Sequence, residues 1–147
     1  MCVGKKLRCV MWGVVLLVAL YFGAYTLLVM HIEHRRKKAL EDYLNTPIPL
    51  HVAKDLCSRG LVPERISSCT GEITIRRRDI PDIFRSRVSL QSTYEEVTQT
   101  FGKYTWYCGE TKPGTLLCSY EFGIPPRMIV EYNLESGLVT FIGSGFE

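Results

Sequence analysis

The side chains best suited to chemistry in this chain are six cysteines and three histidines, and their spacing decides which chemistry is open to them. Four of the cysteines, Cys57, Cys69, Cys108 and Cys118, lie beyond the apolar N-terminal segment. No Cys-x-x-Cys pair occurs, which argues against a thioredoxin-like redox site and a zinc ribbon alike. An even number of cysteines in a small domain points instead to disulfide staples, which persist in oxidising compartments. The competing possibility is four reduced thiols packed as small hydrophobes. A Cys57–Cys69 bridge would close an irregular loop and restrict its unfolded states, an effect of about 3 kcal/mol. Folding the ribbon about Pro113 places Cys108 opposite Cys118, where a cross-strand bridge is geometrically possible. Four cysteines allow three connectivities, and spacing leaves the choice open.

His31, His34 and His51 all lie at or near the apolar segment, and none follows residue 51. Cys-His and Ser-His-Asp nucleophile arrangements are therefore not expected in the C-terminal part. His31 and His34 are one helical turn apart, but they lack carboxylates or cysteines at ligand spacing and read as interfacial side chains, not a metal site. "GETKPGT" (109–115) spaces its glycines as a phosphate loop does but lacks the Gly-Lys-Ser/Thr ending, so it reads as a turn. Glu95, Glu96 and Glu110 have no visible base partner. The expectation is a non-catalytic chain with no metal and no cofactor.

The elements that position these residues begin with "VMWGVVLLVALYFGAYTLLVM" (10–30), a run without one charged residue. As a helix it extends about 31 Å, the thickness of a bilayer's hydrocarbon core, and a helix satisfies its own backbone there. Lys5, Lys6 and Arg8 precede it; Arg35, Arg36, Lys37 and Lys38 follow. The run is longer than a signal-peptide core and lacks a small-residue cleavage site, so an uncleaved anchor is expected. Flanking charge barely distinguishes the two orientations, whereas disulfides would place the C-terminal domain outside the cytoplasm. Ala19 and Gly23 form a small-xxx-small pair through which another helix can approach closely.

Seven Lys or Arg face three acids in residues 1–44, against eleven facing twelve in 45–147, so the net charge of +3 belongs to the membrane end. Such a surplus fits anionic lipid better than nucleic acid, and no nucleic-acid role is expected. With 46% hydrophobic and 22% charged residues the chain is not of disordered type. The expected division is a short basic tail over 1–9, a spanning helix over 10–32, a juxtamembrane helix over 33–46 and a domain over 47–147.

Pro47 and Pro49 end the juxtamembrane helix. A short helix follows, stopped at Gly60, and then an irregular stretch containing Pro63 and Gly71. Asp79 is a candidate N-cap for a helix with Pro81 in its first turn. Ser92 and Glu95 have capping-box spacing ahead of a helix whose Tyr94, Val97 and Phe101 share one face and which Gly102 stops. The period then changes to two. "YTWYCG" and "TLLCSYEF" flank a turn at Lys112, Pro113 and Gly114, and "RMIVEYNL" and "LVTFIG" flank one at Glu135, Ser136 and Gly137, with Pro125 and Pro126 breaking the strand between. The fold class is α+β: a transmembrane helix, then short helices packed on a three- to four-stranded antiparallel meander.

Together "SLQSTYEEVTQTFGKYTWYC", "LLCSYEF" and "MIVEYNLESGLVTFIGS" resemble the SmpA/OmlA domain, found in the small accessory lipoprotein of the outer-membrane barrel assembly machine. Thr93, Glu96, Val97, Phe101 and Gly102 match its helix motif in kind, and Val130, Tyr132, Gly137 and Val139 match its hairpin. The likeness covers roughly residues 79–143. Gln91 and Ser92 stand where that family has Gly and Met, Tyr104 replaces its Pro, and a spanning helix replaces the lipidated cysteine. The resemblance implies an extracytoplasmic domain that binds proteins or lipid headgroups, without catalytic residues.

Two surface features fit such a role. Arg76, Arg77, Arg78, Arg85 and Arg87 form the dense basic group of the domain, either a solvated face with local ion pairs or a docking surface for acidic partners or lipid headgroups. Trp106, with Tyr104, Tyr107 and Tyr120, offers an aromatic contact patch, although core packing is expected to claim at least half of these rings. The expected function is a single-pass membrane-anchored accessory or assembly subunit, with membrane lipid and a protein partner or membrane complex as its contacts. The alternative is a regulatory or inhibitory ligand-binding module on the same anchor.

Overall fold

The computed structural model describes residues 3–123 and 127–145, with side chains described from residue 11 onward. Cys2 and the strand break expected at Pro125 and Pro126 lie outside the described residues. The chain divides into two compact units, one ending at Asp42 and the other beginning at Tyr43.

The first unit is a helix. α1 runs over Val3–Asn45 without interruption, and from Met11 it is long and apolar enough to cross a membrane, with a mean hydropathy of 2.2 in its most apolar window. The boundary expected between spanning and juxtamembrane helices does not break the backbone. Residues 3–9, expected as a tail, are helical as well, since lysine, arginine and leucine are good helix formers and no proline intervenes. Ala19 and Gly23 stand on exposed helix surface, and a Cβ added at Gly23 would meet nothing within 4 Å.

α1 ends ahead of Pro47 because each proline lacks the amide a further turn would need. The chain is then pinned. The Ile48 N–H donates to the Ile75 carbonyl at 2.9 Å and the Arg77 N–H to the Thr46 carbonyl at 3.1 Å, around an isolated bridge between Pro47 and Arg76. α2 (Leu50–Ser58) buries Val52, Ala53 and Leu56 and gives way at Gly60, whose φ of 63° favours a residue without Cβ. After an irregular loop, a 3₁₀ turn (Arg77–Asp79) leads into α3 (Ile80–Arg85), which buries Ile80, Ile83 and Phe84. Asp79 does not cap α3 with its side chain. Its carboxylate instead accepts the Arg76 N–H at 2.8 Å and closes the preceding 3₁₀ turn.

α4 (Tyr94–Phe101) carries a capping box, one residue later than the Ser92–Glu95 spacing suggests. Thr93 Oγ1 accepts the Glu96 N–H at 3.2 Å, and Glu96 Oε2 accepts the Thr93 N–H at 2.8 Å. Two Ser/Thr-x-x-Glu phases overlap here. The sheet selects between them, because Tyr94 N–H donates to the Gly137 carbonyl and Thr93 bridges Leu138 with extended backbone. Ser92 belongs to the turn before, accepting the Ser89 N–H at 3.0 Å. Thr93→Ala therefore lowers the unfolding free energy by about 1 kcal/mol, measured by urea unfolding of the full chain, with Glu96→Gln costing less because an amide oxygen still accepts.

Gly102 ends α4 without a left-handed turn; its φ is −55° and a second 3₁₀ turn (Gly102–Tyr104) follows. A Cβ there would sit 3.2 Å from Thr98 Cγ2, a tight contact that glycine avoids. Four strands then form an antiparallel meander in sequence order: β1 (Thr105–Lys112), β2 (Thr115–Tyr120), β3 (Arg127–Asn133) and β4 (Val139–Gly145). Pro113 followed by Gly114 at φ 78° has the residue pattern of a type II turn. Between β3 and β4, Asn133 Oδ1 accepts the N–H groups of Glu135 and Ser136, both at 2.9 Å, an Asx turn that aims the chain back.

One sheet face is closed and the other open. Cys118, Tyr120, Met128, Val130, Tyr132 and Val139 point inward and are fully buried with α2, α3 and α4, where Phe84 stacks on Phe101 at 4.5 Å between ring centroids. The Tyr120 and Tyr132 hydroxyls pair at 2.8 Å inside this core, which satisfies two polar groups that would otherwise be buried alone. Burial holds both phenols above their ordinary pKa. The class is α+β, with a four-stranded meander.

Candidate functional site

The cysteines form two bridges, Cys57–Cys69 with Cα atoms 5.5 Å apart and Cys108–Cys118 with Cα atoms 4.1 Å apart. The first joins the end of α2 to the loop after it; the second links directly opposed residues of β1 and β2. These four sulfurs are spent on cross-links and are neither nucleophiles nor ligands. Among the described residues no group of three His, Cys, Asp or Glu comes together as a metal would require.

The outer face of the sheet carries exposed aromatic side chains. Strand alternation places Tyr107, Leu117, Ser119, Arg127, Ile129, Glu131 and Phe141 on it, opposite the face on which α2, α3 and α4 pack. Trp106 is 64% exposed, Tyr107 53% and Phe141 49%. Tyr107 lies across Gly109 and Phe141 across Gly143, positions where any Cβ would collide with the ring. The glycines let the aromatic rings lie flat on the backbone and stay exposed. Arg127 stacks 5.0 Å from the Trp106 centroid and pairs with Glu121 at 3.2 Å. Glu131 sits between Leu117 and Phe141 in the register, so a carboxylate interrupts the apolar surface near its centre. Of the four rings singled out from the sequence, Trp106 and Tyr107 are therefore surface, while Tyr104 and Tyr120 are buried.

The five arginines do not form one surface. Arg76 and Arg78 wall a cavity together with Arg65, but Arg77 turns away and lies 3.9 Å over the Tyr43 ring. A 3₁₀ turn has three residues per turn and so fans consecutive side chains in different directions. Arg87 donates to the Gly60 carbonyl. Arg85 stays exposed at the end of α3, outside the cavity.

Two further features carry no local sequence signal. Asp55 on α2 accepts from Lys103 Nζ and from the Tyr104 hydroxyl, with Arg59 3.9 Å away, at a small cleft that His51 and Gly123 also line. The hydrogen bond from Lys103, then that from Tyr104, holds Asp55 below the usual carboxylate range; burial, then Asp55, holds Tyr104 above its own. This cluster ties α2 to the turn after α4. Because the folded-state value lies below the unfolded one, near 3.8, the Asp55 contribution is present above that pH and is lost as pH falls through the depressed value. The stability gap between the natural chain and Asp55→Asn accordingly narrows as pH is lowered below 3.8, followed by urea unfolding across an acid series. The second feature is a cavity of about 480 Å³ between the start of α4 and the β3–β4 turn, walled by Tyr94, Leu116, Tyr132 and Leu134 with Glu95 and Asn133 at its polar side.

No family model, characterised protein or solved structure matches the chain.

Proposed function

We propose that this is a single-pass membrane-anchored accessory or assembly subunit, non-catalytic, whose C-terminal domain lies on the extracytoplasmic side and acts through protein contacts. The observation that carries it is the uncovered outer sheet face, with Trp106, Tyr107 and Phe141 presented on a rigid four-stranded platform. Exposed aromatic residues beside an arginine are the side chains that dominate protein interfaces. Glu131 at the centre of that face favours a protein partner over insertion into a bilayer, where an unpaired carboxylate is costly. The two bridges support the orientation, since disulfides persist outside the reducing cytoplasm. The likeness to the SmpA/OmlA domain, carried by Thr93, Glu96, Val97 and the β3–β4 hairpin, supports an accessory role of the same kind.

A photocrosslinking residue placed at position 106 or 141 captures one discrete protein, whereas the same residue at Glu64, on the loop after α2, captures none. With the photocrosslinking residue at position 107 of the same face, Trp106→Ser with Phe141→Ser cuts the yield at least about tenfold, as loss of hot-spot residues does, while stability changes by about 1 kcal/mol or less. Equal adducts from all positions, or adducts to lipid alone, contradict the proposal.

A second reading, a regulatory module that binds a small ligand, is favoured by the cavity at Tyr94 and Leu134, which combines apolar walls with a few polar groups as ligand sites do. Ligand-dependent shifts of Tyr94 and Leu134 resonances without any protein adduct at position 106 are its signature.

A further inference from the structure

We infer that Arg65, Arg76 and Arg78 form a binding site for a tetrahedral oxyanion, a phosphate group presented either free or as an ester. The site does not depend on which partner covers the sheet. It is a cavity of about 480 Å³ on the helical side of the domain, with the Thr74 side chain in its wall. That volume holds a phosphoryl group together with several waters.

Local construction brings three arginines to the wall of one space. Arg65 comes from the loop that the Cys57–Cys69 bridge closes, and the Ile66 N–H donates to the Pro63 carbonyl at 2.9 Å, so this backbone is fixed at two levels. Arg76 and Arg78 flank the Arg77 position of the 3₁₀ turn and bracket the cavity while Arg77 itself leaves it. Backbone so constrained loses little freedom when a ligand is bound.

The acids nearby do not consume these donors. Asp79 gives one carboxylate oxygen to the Arg76 N–H at 2.8 Å, and its other oxygen is 3.9 Å from Arg78 Nε. Asp82 approaches Arg65 only to 4.0 Å, with both side chains more than 60% exposed. Ion pairs this long and this exposed contribute little. Three guanidinium groups against two carboxylates leave one positive charge in excess among the described residues that line the cavity. A guanidinium pairs best with an oxyanion through two parallel N–H···O bonds. Three of them around one cavity suit a group with three terminal oxygens, which a carboxylate lacks and a phosphate monoester has.

The test uses the full chain in nanodiscs of zwitterionic lipid, with the arginine Nε–Hε signals followed by NMR. Sodium phosphate is titrated at constant ionic strength against chloride. Saturable shifts of Arg65, Arg76 and Arg78 are expected. Arg76→Gln or Arg65→Gln weakens the apparent affinity about tenfold, the order expected for one lost charge-assisted contact. Arg85→Gln, outside the cavity, leaves it unchanged. A second arm replaces part of the lipid by phosphatidylglycerol with no phosphate added: movement of the same three signals assigns the source as a lipid headgroup, and movement with added phosphate alone assigns a soluble one. Unsaturable shifts in both arms, or an Arg85→Gln effect as large as that of Arg76→Gln, overturn the inference in favour of diffuse charge.

Discussion

Phe84→Ala lowers the unfolding free energy of the domain by about 3–5 kcal/mol, the largest expected effect of any single truncation. Phe84 is 0% exposed and is the one residue whose ring meets Phe101, Tyr120 and Phe122 at once, with centroids at 4.5, 5.4 and 6.3 Å. It joins α3, α4 and the inner face of the sheet, so its loss opens a cavity at the point where all three layers meet. A domain of this size has about 5–15 kcal/mol in total, and the variant is expected to be close to unfolding at 37 °C. Phe84→Leu keeps most of the volume and costs clearly less. Urea unfolding of both variants, followed by near-ultraviolet dichroism of the buried tyrosines, checks the order. Equal midpoints for Phe84→Ala and the natural chain would show that this ring is not the junction of the core.

Removing the bridges ranks second. Cys57→Ala with Cys69→Ala is expected to cost about 3 kcal/mol, because the closed loop is short and the gain comes from restricting the unfolded chain. Cys108→Ala with Cys118→Ala removes a similar constraint, and it also takes sulfur from the core, since Cys118 is fully buried against the inner sheet face. The two losses together approach the whole stability of the domain, so the chain lacking both bridges is unfolded at 37 °C, whereas either pair alone leaves a folded, less stable domain. Unfolding midpoints read with and without reductant measure the same quantity without mutation; midpoints that do not differ would mean the bridges constrain nothing.

The sequence made some of this structure legible and hid the rest for physical reasons. An uncharged run such as residues 10–30 favours a helix, and the helical character of the residues after it, with Leu40 and Leu44 on one side, made the continuation through Arg35–Lys38 to Asn45 readable as well. The hairpins were readable because Pro113 fixes its own φ and Gly114 and Gly137 reach the positive φ that the turns use at little steric cost. The start of α4 was displaced by one residue, because Ser92/Glu95 and Thr93/Glu96 are equally good boxes until Gly137 and Leu138 of the sheet choose between them. The arginine cluster was readable as a basic group but not its division, because adjacency in a 3₁₀ turn separates side chains. Arg65, eleven residues before Arg76 in the chain, completes a cavity that composition alone cannot reveal. Asp55 finds Lys103 and Tyr104 across 48 and 49 residues, a contact made only by the packed fold.

An anchored domain on the extracytoplasmic side is cross-linked in its native compartment, and its thiols report this directly. Cells expressing the full chain are lysed directly into denaturant containing excess maleimide, with or without prior reductant, and the labelled cysteines are mapped by mass spectrometry. The predicted result is that Cys57, Cys69, Cys108 and Cys118 are unlabelled without reductant and all labelled with it. Full labelling of these four cysteines before reduction would place the domain in a reducing compartment and contradict the proposed orientation.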